Sequence, residues 1–221
     1  MKKDKRFKSA FTLAEVLITL VIIGVIAALT VPTLIQNTQK QEYVSALKKA
    51  YSTLSQAAQM IIAEEGNPKC NDGGWACTLD DVYNKFKKYL NSTKDCGAAK
   101  GCFRQHGEKG YKFLKGNGYT VQWNDADWNR NFILADGAQV MVFSVDRNCG
   151  KEWYGSRETC ALTAVDINGE KSPNRYGRDV FYFALKENGL YPLGCDSEQC
   201  TDAGNGEGCA CKVLREGAMN Y

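Results

Sequence analysis

Histidine is almost missing from this chain of 221 residues: His106 is the only one, in a stretch rich in Gly and Lys. Acid–base chemistry or a nucleophilic triad built on imidazole therefore has little material, and a solvated or satisfied histidine accounts for His106. Phosphate-cradling glycine loops and dinucleotide fingerprints are absent as well. There is no internal repeat, and no glycine–serine linker long enough to separate two domains. The sequence is expected not to be that of an enzyme. Strong charge of one sign is also lacking: 28 basic residues stand against 25 acidic. Residues 1–10 hold five of the basic and one of the acidic ones, leaving 23 against 24 beyond them. The small positive excess thus belongs to the first residues, and no basic run with interleaved aromatics follows; no specific nucleic-acid partner is expected. Cysteine is missing from the first 69 residues, and all ten fall between Cys70 and Cys211.

What is present begins with a basic head, Lys2, Lys3, Lys5, Arg6 and Lys8 against Asp4 alone. An apolar run from Leu13 to Ile35 follows, in which Glu15 is the only ionisable residue. About 20 apolar residues suffice to cross a bilayer. The lysine-rich side is expected to stay inside and the remainder to be exported. A secretory signal peptide would close the apolar run with a small-residue cleavage site. Here the small residue, Ala10, precedes the run. A plain single-pass anchor explains all of this except Glu15, because a carboxylate at the bilayer centre costs about 2.5–3.5 kcal/mol and marks a functional contact.

The segment Ala10-Phe11-Thr12-Leu13-Ala14-Glu15-Val16-Leu17-Ile18 resembles the processing and assembly motif of type IV pilins and type II secretion pseudopilins. The resemblance covers about residues 8–40 and departs from the family at Ala10, where glycine is usual. It implies cleavage by a prepilin peptidase between Ala10 and Phe11, N-methylation of Phe11, and assembly through Glu15. After such a cut the amine of Phe11 would lie one helical turn from Glu15. Opposite charges about 4 Å apart attract by around 4 kcal/mol at an effective dielectric near 20. Pairing with the amine of a neighbouring subunit would fix axial register, and pairing within the same chain is the alternative. Gly24 and Pro32 interrupt the apolar run; Pro32 removes an amide donor and crowds the carbonyl of Ala28, so a kink or local melting is expected there.

Beyond the membrane segment, Tyr43, Val44, Leu47, Tyr51, Leu54, Ala58, Ile61 and Ile62 recur at steps of three and four, which predicts an amphipathic continuation of the helix until Gly66-Asn67-Pro68. A helix over residues 12–65 would be about 80 Å long. Residues 66–118 read as an irregular region with one helix at Leu79–Leu90, capped by Thr78 with Asp81 three residues on. Strands are predicted at Tyr119–Trp123, Asn131–Ala135, Gln139–Val145, Ala161–Ile167 and Val180–Leu185, with Asp136-Gly137 and Asn168-Gly169 as two-residue hairpin signals.

The expected fold class is α+β and pilin-like, a long N-terminal helix packed on an antiparallel β-meander with disulfide-stapled loops. Its segments are a cleaved leader (1–10), a transmembrane and assembly helix (11–35), its amphipathic continuation (36–65), the loop region (66–118) and the sheet with a Cys-rich end (119–221), residues 36–221 forming one exported head. In an oxidising compartment the cysteines read as a disulfide framework. Short loops suggest Cys70 with Cys77, Cys96 with Cys102 and Cys149 with Cys160, while Cys195, Cys200, Cys209 and Cys211 supply two more bridges of open connectivity. Cys209 and Cys211 are too close to pair comfortably with each other. Zinc is the competing reading, but Cys209-Ala210-Cys211 lacks the spacing of a zinc knuckle.

The segment from Val165 to Phe181 resembles a VDxNGxxxPNxxGxDxF pattern of pseudopilin-like sequences. Asp166, Asn168 and Asp179 offer hard oxygen ligands, and calcium is the cofactor this resemblance suggests, although the spacing is not that of an EF-hand. A turn with Asp179 bonding the loop backbone is the alternative. The function expected is that of a structural subunit of a bacterial type IV pilus or type II secretion filament, secretion ahead of adhesion, motility or DNA uptake. Its expected partners are other pilin or pseudopilin subunits, the prepilin peptidase, the inner-membrane assembly platform and membrane lipid. A minor pilin or membrane-tethered adhesin is the alternative. The expected location is the inner membrane, N-terminus inside, and a periplasmic or extracellular filament after assembly.

Overall fold

The computed structural model describes residues 12–99, 101–103, 110–116, 128–195, 200–201 and 203–221. The chain divides into two compact units, Met1–Gln39 and Lys40–Tyr221.

Helix α1 runs unbroken over Leu13–Glu65. Gly24 and Pro32 both lie within this helix. Pro32 removes a single N–H, and the hydroxyls of Thr30 and Thr38 bond the carbonyls of Ile26 and Leu34, at 2.9 and 3.0 Å, within the surrounding turns. From Lys40 on, the helix buries one stripe, Val44, Leu47, Ala50, Leu54, Ala57, Ala58 and Ile61, with Tyr43 and Tyr51 half-buried beside it. Gly66 then closes the last turn through its N–H to the carbonyl of Ile62.

That stripe packs on a six-stranded antiparallel sheet in the order β1-β2-β3-β6-β7-β8. The strands are β1 Ser92–Gly97, β2 Asn129–Leu134, β3 Gln139–Val145, β6 Ala161–Asp166, β7 Val180–Lys186 and β8 Gly189–Pro192. A separate hairpin of β4 Lys151–Trp153 and β5 Ser156–Thr159 interrupts the meander. Period-two alternation sends Phe132, Val140, Val142, Val165, Phe181, Phe183 and Leu185 to the helix side. Tyr51 stacks on Phe183 at 5.6 Å between ring centroids, tying helix to sheet.

The outer face is covered too. Met141, Leu162, Ala164 and Tyr182 lie under Phe103, Tyr111, Tyr176 and Leu193, brought there by the connecting loops. β6 is consequently buried along its whole length. Sequence reading anticipated a single core under the helix; the second arises because bridged loops fold back over the sheet.

Helix α2 (Leu79–Tyr89) starts as expected: Thr78 Oγ1 accepts the N–H of Asp81, whose carboxylate accepts the N–H of Thr78 at 2.8 Å. Several expectations need correction. Region 66–118 contributes a strand, β1, whose polar residues and irregular pairing hide it from an alternation test. The Asp136-Gly137 hairpin closes through a three-residue loop, with Gly137 N–H to the carbonyl of Leu134 and φ +90° at Gly137. Asn168-Gly169 opens a long connection between β6 and β7 instead of a tight hairpin. β8 and helix α3 (Ala210–Glu216) were not foreseen. The strand predicted at Tyr119–Trp123 lies outside the described residues.

All ten cysteines are bridged: Cys70–Cys77, Cys96–Cys102, Cys149–Cys160, Cys195–Cys211 and Cys200–Cys209. The three short-loop pairs are those expected, and the last two resolve the connectivity left open, with Cys209 and Cys211 taking different partners.

Candidate functional site

The start of α1 carries the first site. Thr12 and Glu15 form a capping box: Glu15 Oε2 accepts both the backbone N–H and the hydroxyl of Thr12, each at 2.8 Å, and Thr12 Oγ1 accepts the N–H of Glu15 at 3.3 Å. Two otherwise orphaned donors of the helix end are thereby satisfied. The signal was legible in Thr12-Leu13-Ala14-Glu15, a Ser/Thr-x-x-Glu box that sequence reading did not take up. Glu15 Oε1 engages none of the described residues. Ala10 and Phe11, the expected cleavage and methylation positions, lie outside the described residues.

Around this carboxylate the helix is apolar on every side. Leu17, Ile18, Val21, Ile22, Val25, Ile26 and Leu29 are all exposed. The helix is long and apolar enough to cross a membrane by length and composition. The hydroxyls of Thr19 and Thr30 bond the carbonyls of Val16 and Ile26 within the helix, each at 2.9 Å. That is the condition for a helix placed in lipid or among other apolar helices, where water is not at hand. Among the side chains from Leu13 to Ile35, only Glu15 presents charge.

A second site lies in the connection between β6 and β7. Asp166 and Asp179 are both fully buried. Asp166 Oδ2 accepts the hydroxyl of Tyr111 at 2.7 Å, and its Oδ1 accepts the N–H of Asn168 at 3.2 Å. Asp179 takes the N–H of Arg175 on Oδ1 at 2.6 Å and that of Asn174 on Oδ2 at 2.7 Å. Asn168 Nδ2 donates to the carbonyl of Ser172, which also receives the hydroxyl of Tyr43 from α1, both at 3.3 Å. Burial pushes the Asp179 carboxyl up to about 6, against the pull of its backbone donors. Burial also holds Asp166 well above the usual carboxylate range, and the charge of Asp179 adds to it.

The structure therefore brings Asp166, Asn168 and Asp179 into one loop, and it engages all four carboxylate oxygens with donors of the protein. This is how a hydrogen-bonded turn is built, and the loop's geometry is accounted for without a calcium ion. The carboxamide oxygens of Asn168 and Asn174 are buried without a hydrogen-bond partner. Among the described residues no group of three or more His, Cys, Asp or Glu is placed to hold a metal. Gly177 adopts φ +73°, and a Cβ there would meet Cys209 Sγ at 2.8 Å, so the turn is pressed against the Cys200–Cys209 bridge. Sequence reading missed Tyr111, whose hydroxyl is set by the fold alone. His106 lies outside the described residues.

Two family profiles match the sequence. The prokaryotic N-terminal methylation motif matches residues 5–31, and a profile described as a family of unknown function (DUF6613) matches residues 33–199. No curated protein and no solved structure matches the chain. The start of α1, with its single acid Glu15, falls within the first match, and β1 through β8 fall within the second. The chain is thus a member of the DUF6613 family that carries at its N-terminus the prepilin cleavage and methylation motif of type IV pilins and pseudopilins.

Proposed function

We propose that this protein is a filament subunit of a bacterial type IV pilus or type II secretion machine, and that its work is structural and not catalytic. In this reading a prepilin peptidase cuts between Ala10 and Phe11 and the new amine of Phe11 is methylated. The chain then waits in the inner membrane, N-terminus inside and head exported, before assembly with other pilin-type subunits. The observation that carries the reading is the half-used carboxylate of Glu15. One oxygen caps its own helix and the other engages none of the described residues, on a helix with no other charge from Leu13 to Ile35. A neighbouring subunit's methylated amine is the cation that would complete it, and the gain offsets what it costs to bury both charges.

Processing is tested by mass spectrometry of the protein from its native cell, which should find Phe11 as a methylated first residue. An intact Met1 start in assembled protein would contradict the proposal.

A second reading, a minor pilin or tethered adhesin, draws support from the loops that cover the outer face of the sheet. Such a subunit would sit at low copy number at a filament tip. Immunogold labelling distinguishes the two, along the shaft for the first and at the end for the second.

A further inference from the structure

Beyond the assembly helix, one pair of cationic residues on the head makes no ion pair among the described residues. The segment containing Lys112 runs parallel to that containing Arg175: Lys112 donates to the carbonyl of Asn174 at 2.9 Å and accepts the N–H of Tyr176 at 3.0 Å. Residues opposite one another in such a bridge put their side chains on one face. Tyr111 and Tyr176 turn into the second core, while Lys112 and Arg175 are only half-buried.

The backbone beneath them is rigidly held. The N–H of Arg175 goes to Asp179 Oδ1, and its carbonyl accepts N–H groups of Arg178, Asp179 and Val180. Gly116 borders the guanidinium, where a Cβ would lie 4.0 Å from Nη2. Lys115, exposed on the same segment, is fixed by its N–H to the carbonyl of Gly204 at 3.0 Å.

Arg175 Nε is buried and has no hydrogen-bond partner. Among the described residues, none of the ion pairs includes Arg175, Lys112 or Lys115. A buried guanidinium N–H without an acceptor is costly, and a planar donor fork carried on the same face as a lysine is the chemistry that takes an oxyanion. Because the backbone is already fixed, little ordering would be lost on binding.

We propose that Arg175 and Lys112, with Lys115 at the rim, form an oxyanion-binding site on the head that accepts a phosphate or carboxylate group. Arg175 supplies the directional donors, and the lysines supply charge. The site is independent of whether the chain forms a shaft or a tip.

The test uses the full chain in neutral detergent micelles at fixed ionic strength, with arginine side chains labelled with nitrogen-15. Inorganic phosphate and acetate are titrated separately while the Nε–H resonances are followed. The Arg175 resonance should shift saturably, and Lys112→Gln, which leaves the backbone bridge intact, should weaken binding about tenfold. Tighter binding of phosphate identifies phosphate groups as the source; equal or tighter binding of acetate identifies carboxylates. The exposed Arg215 serves as the reference. An Arg175 resonance that stays still with both anions overturns the proposal. So does one that drifts without saturation in step with Arg215, or an affinity unchanged by Lys112→Gln.

Discussion

Tyr111 donates its hydroxyl to Asp166 Oδ2 at 2.7 Å, and both side chains are buried on the outer side of the sheet. The tyrosine comes from a loop and the acid from the end of β6, so this bond clamps the covering loop to the sheet. Tyr111→Phe keeps the ring and removes the donor. It should destabilise the head by about 1–3 kcal/mol, because a buried carboxyl is left short of a partner. Thermal unfolding monitored by circular dichroism measures this; an unchanged midpoint would mean that the bond carries nothing.

The buried acids also give stability a definite dependence on pH. Asp166 and Asp179 both have folded-state values raised above the ordinary one, so their neutral forms favour the folded chain. Their contribution is complete below about pH 4, the range of the unfolded carboxyl, and it is lost as pH rises through the folded values. For Asp179 the window is from 3.8 to about 6, worth on the order of 3 kcal/mol. Unfolding midpoints between pH 4 and 7 should fall as pH rises. Asp179→Asn, which is neutral throughout, should flatten that slope while lowering the midpoint at acid pH, since an amide nitrogen cannot accept the N–H that the lost oxygen took.

Calcium provides a separate check on the same loop. With all four carboxylate oxygens held by protein donors, millimolar calcium or a chelator should leave the unfolding midpoint in place. A calcium-dependent rise abolished by Asp179→Asn would instead identify Asp166, Asn168 and Asp179 as cation ligands.

Gly177 is predicted to be intolerant of a side chain. At φ +73°, with a Cβ only 2.8 Å from Cys209 Sγ and 3.3 Å from the carbonyl of Gly206, Gly177→Ala combines backbone strain with overlap. The loss should be about 1–3 kcal/mol or more from strain alone. Chemical denaturation of the oxidised protein reads it directly.

Much of this architecture could be read from residue patterns, and the exceptions have physical causes. The spacing of Val44, Leu47, Leu54, Ala58 and Ile61 reported the buried helix stripe because period 3.6 survives any choice of partner. Thr78 with Asp81 marked the start of α2 because capping is local. β6 and β7 were visible as apolar runs. β1 was not, since Thr93, Lys94 and Asp95 lie exposed at a sheet edge and show no apolar alternation. The oxyanion-binding pair was equally invisible, because Lys112 and Arg175 lie far apart in sequence and only the bridge between their segments joins them. The short disulfide loops were inferred from spacing. The pairs Cys195–Cys211 and Cys200–Cys209 required the folded chain, for four clustered cysteines allow several pairings.

The capping of its own helix by Glu15 and the subunit-register role proposed for it separate by mutation. Thr12→Ala removes the cap at a cost of about 1 kcal/mol and leaves the charge. Such a protein should still assemble. Glu15→Ala removes both.

The register role proposed for Glu15 is tested by quantifying Glu15→Ala protein in sheared filaments, beside Thr12→Ala and the parent chain. Glu15→Ala should be processed, keep a folded and fully bridged head, and be missing from filaments into which Thr12→Ala enters. Recovery of Glu15→Ala in filaments at the parent level would contradict that role.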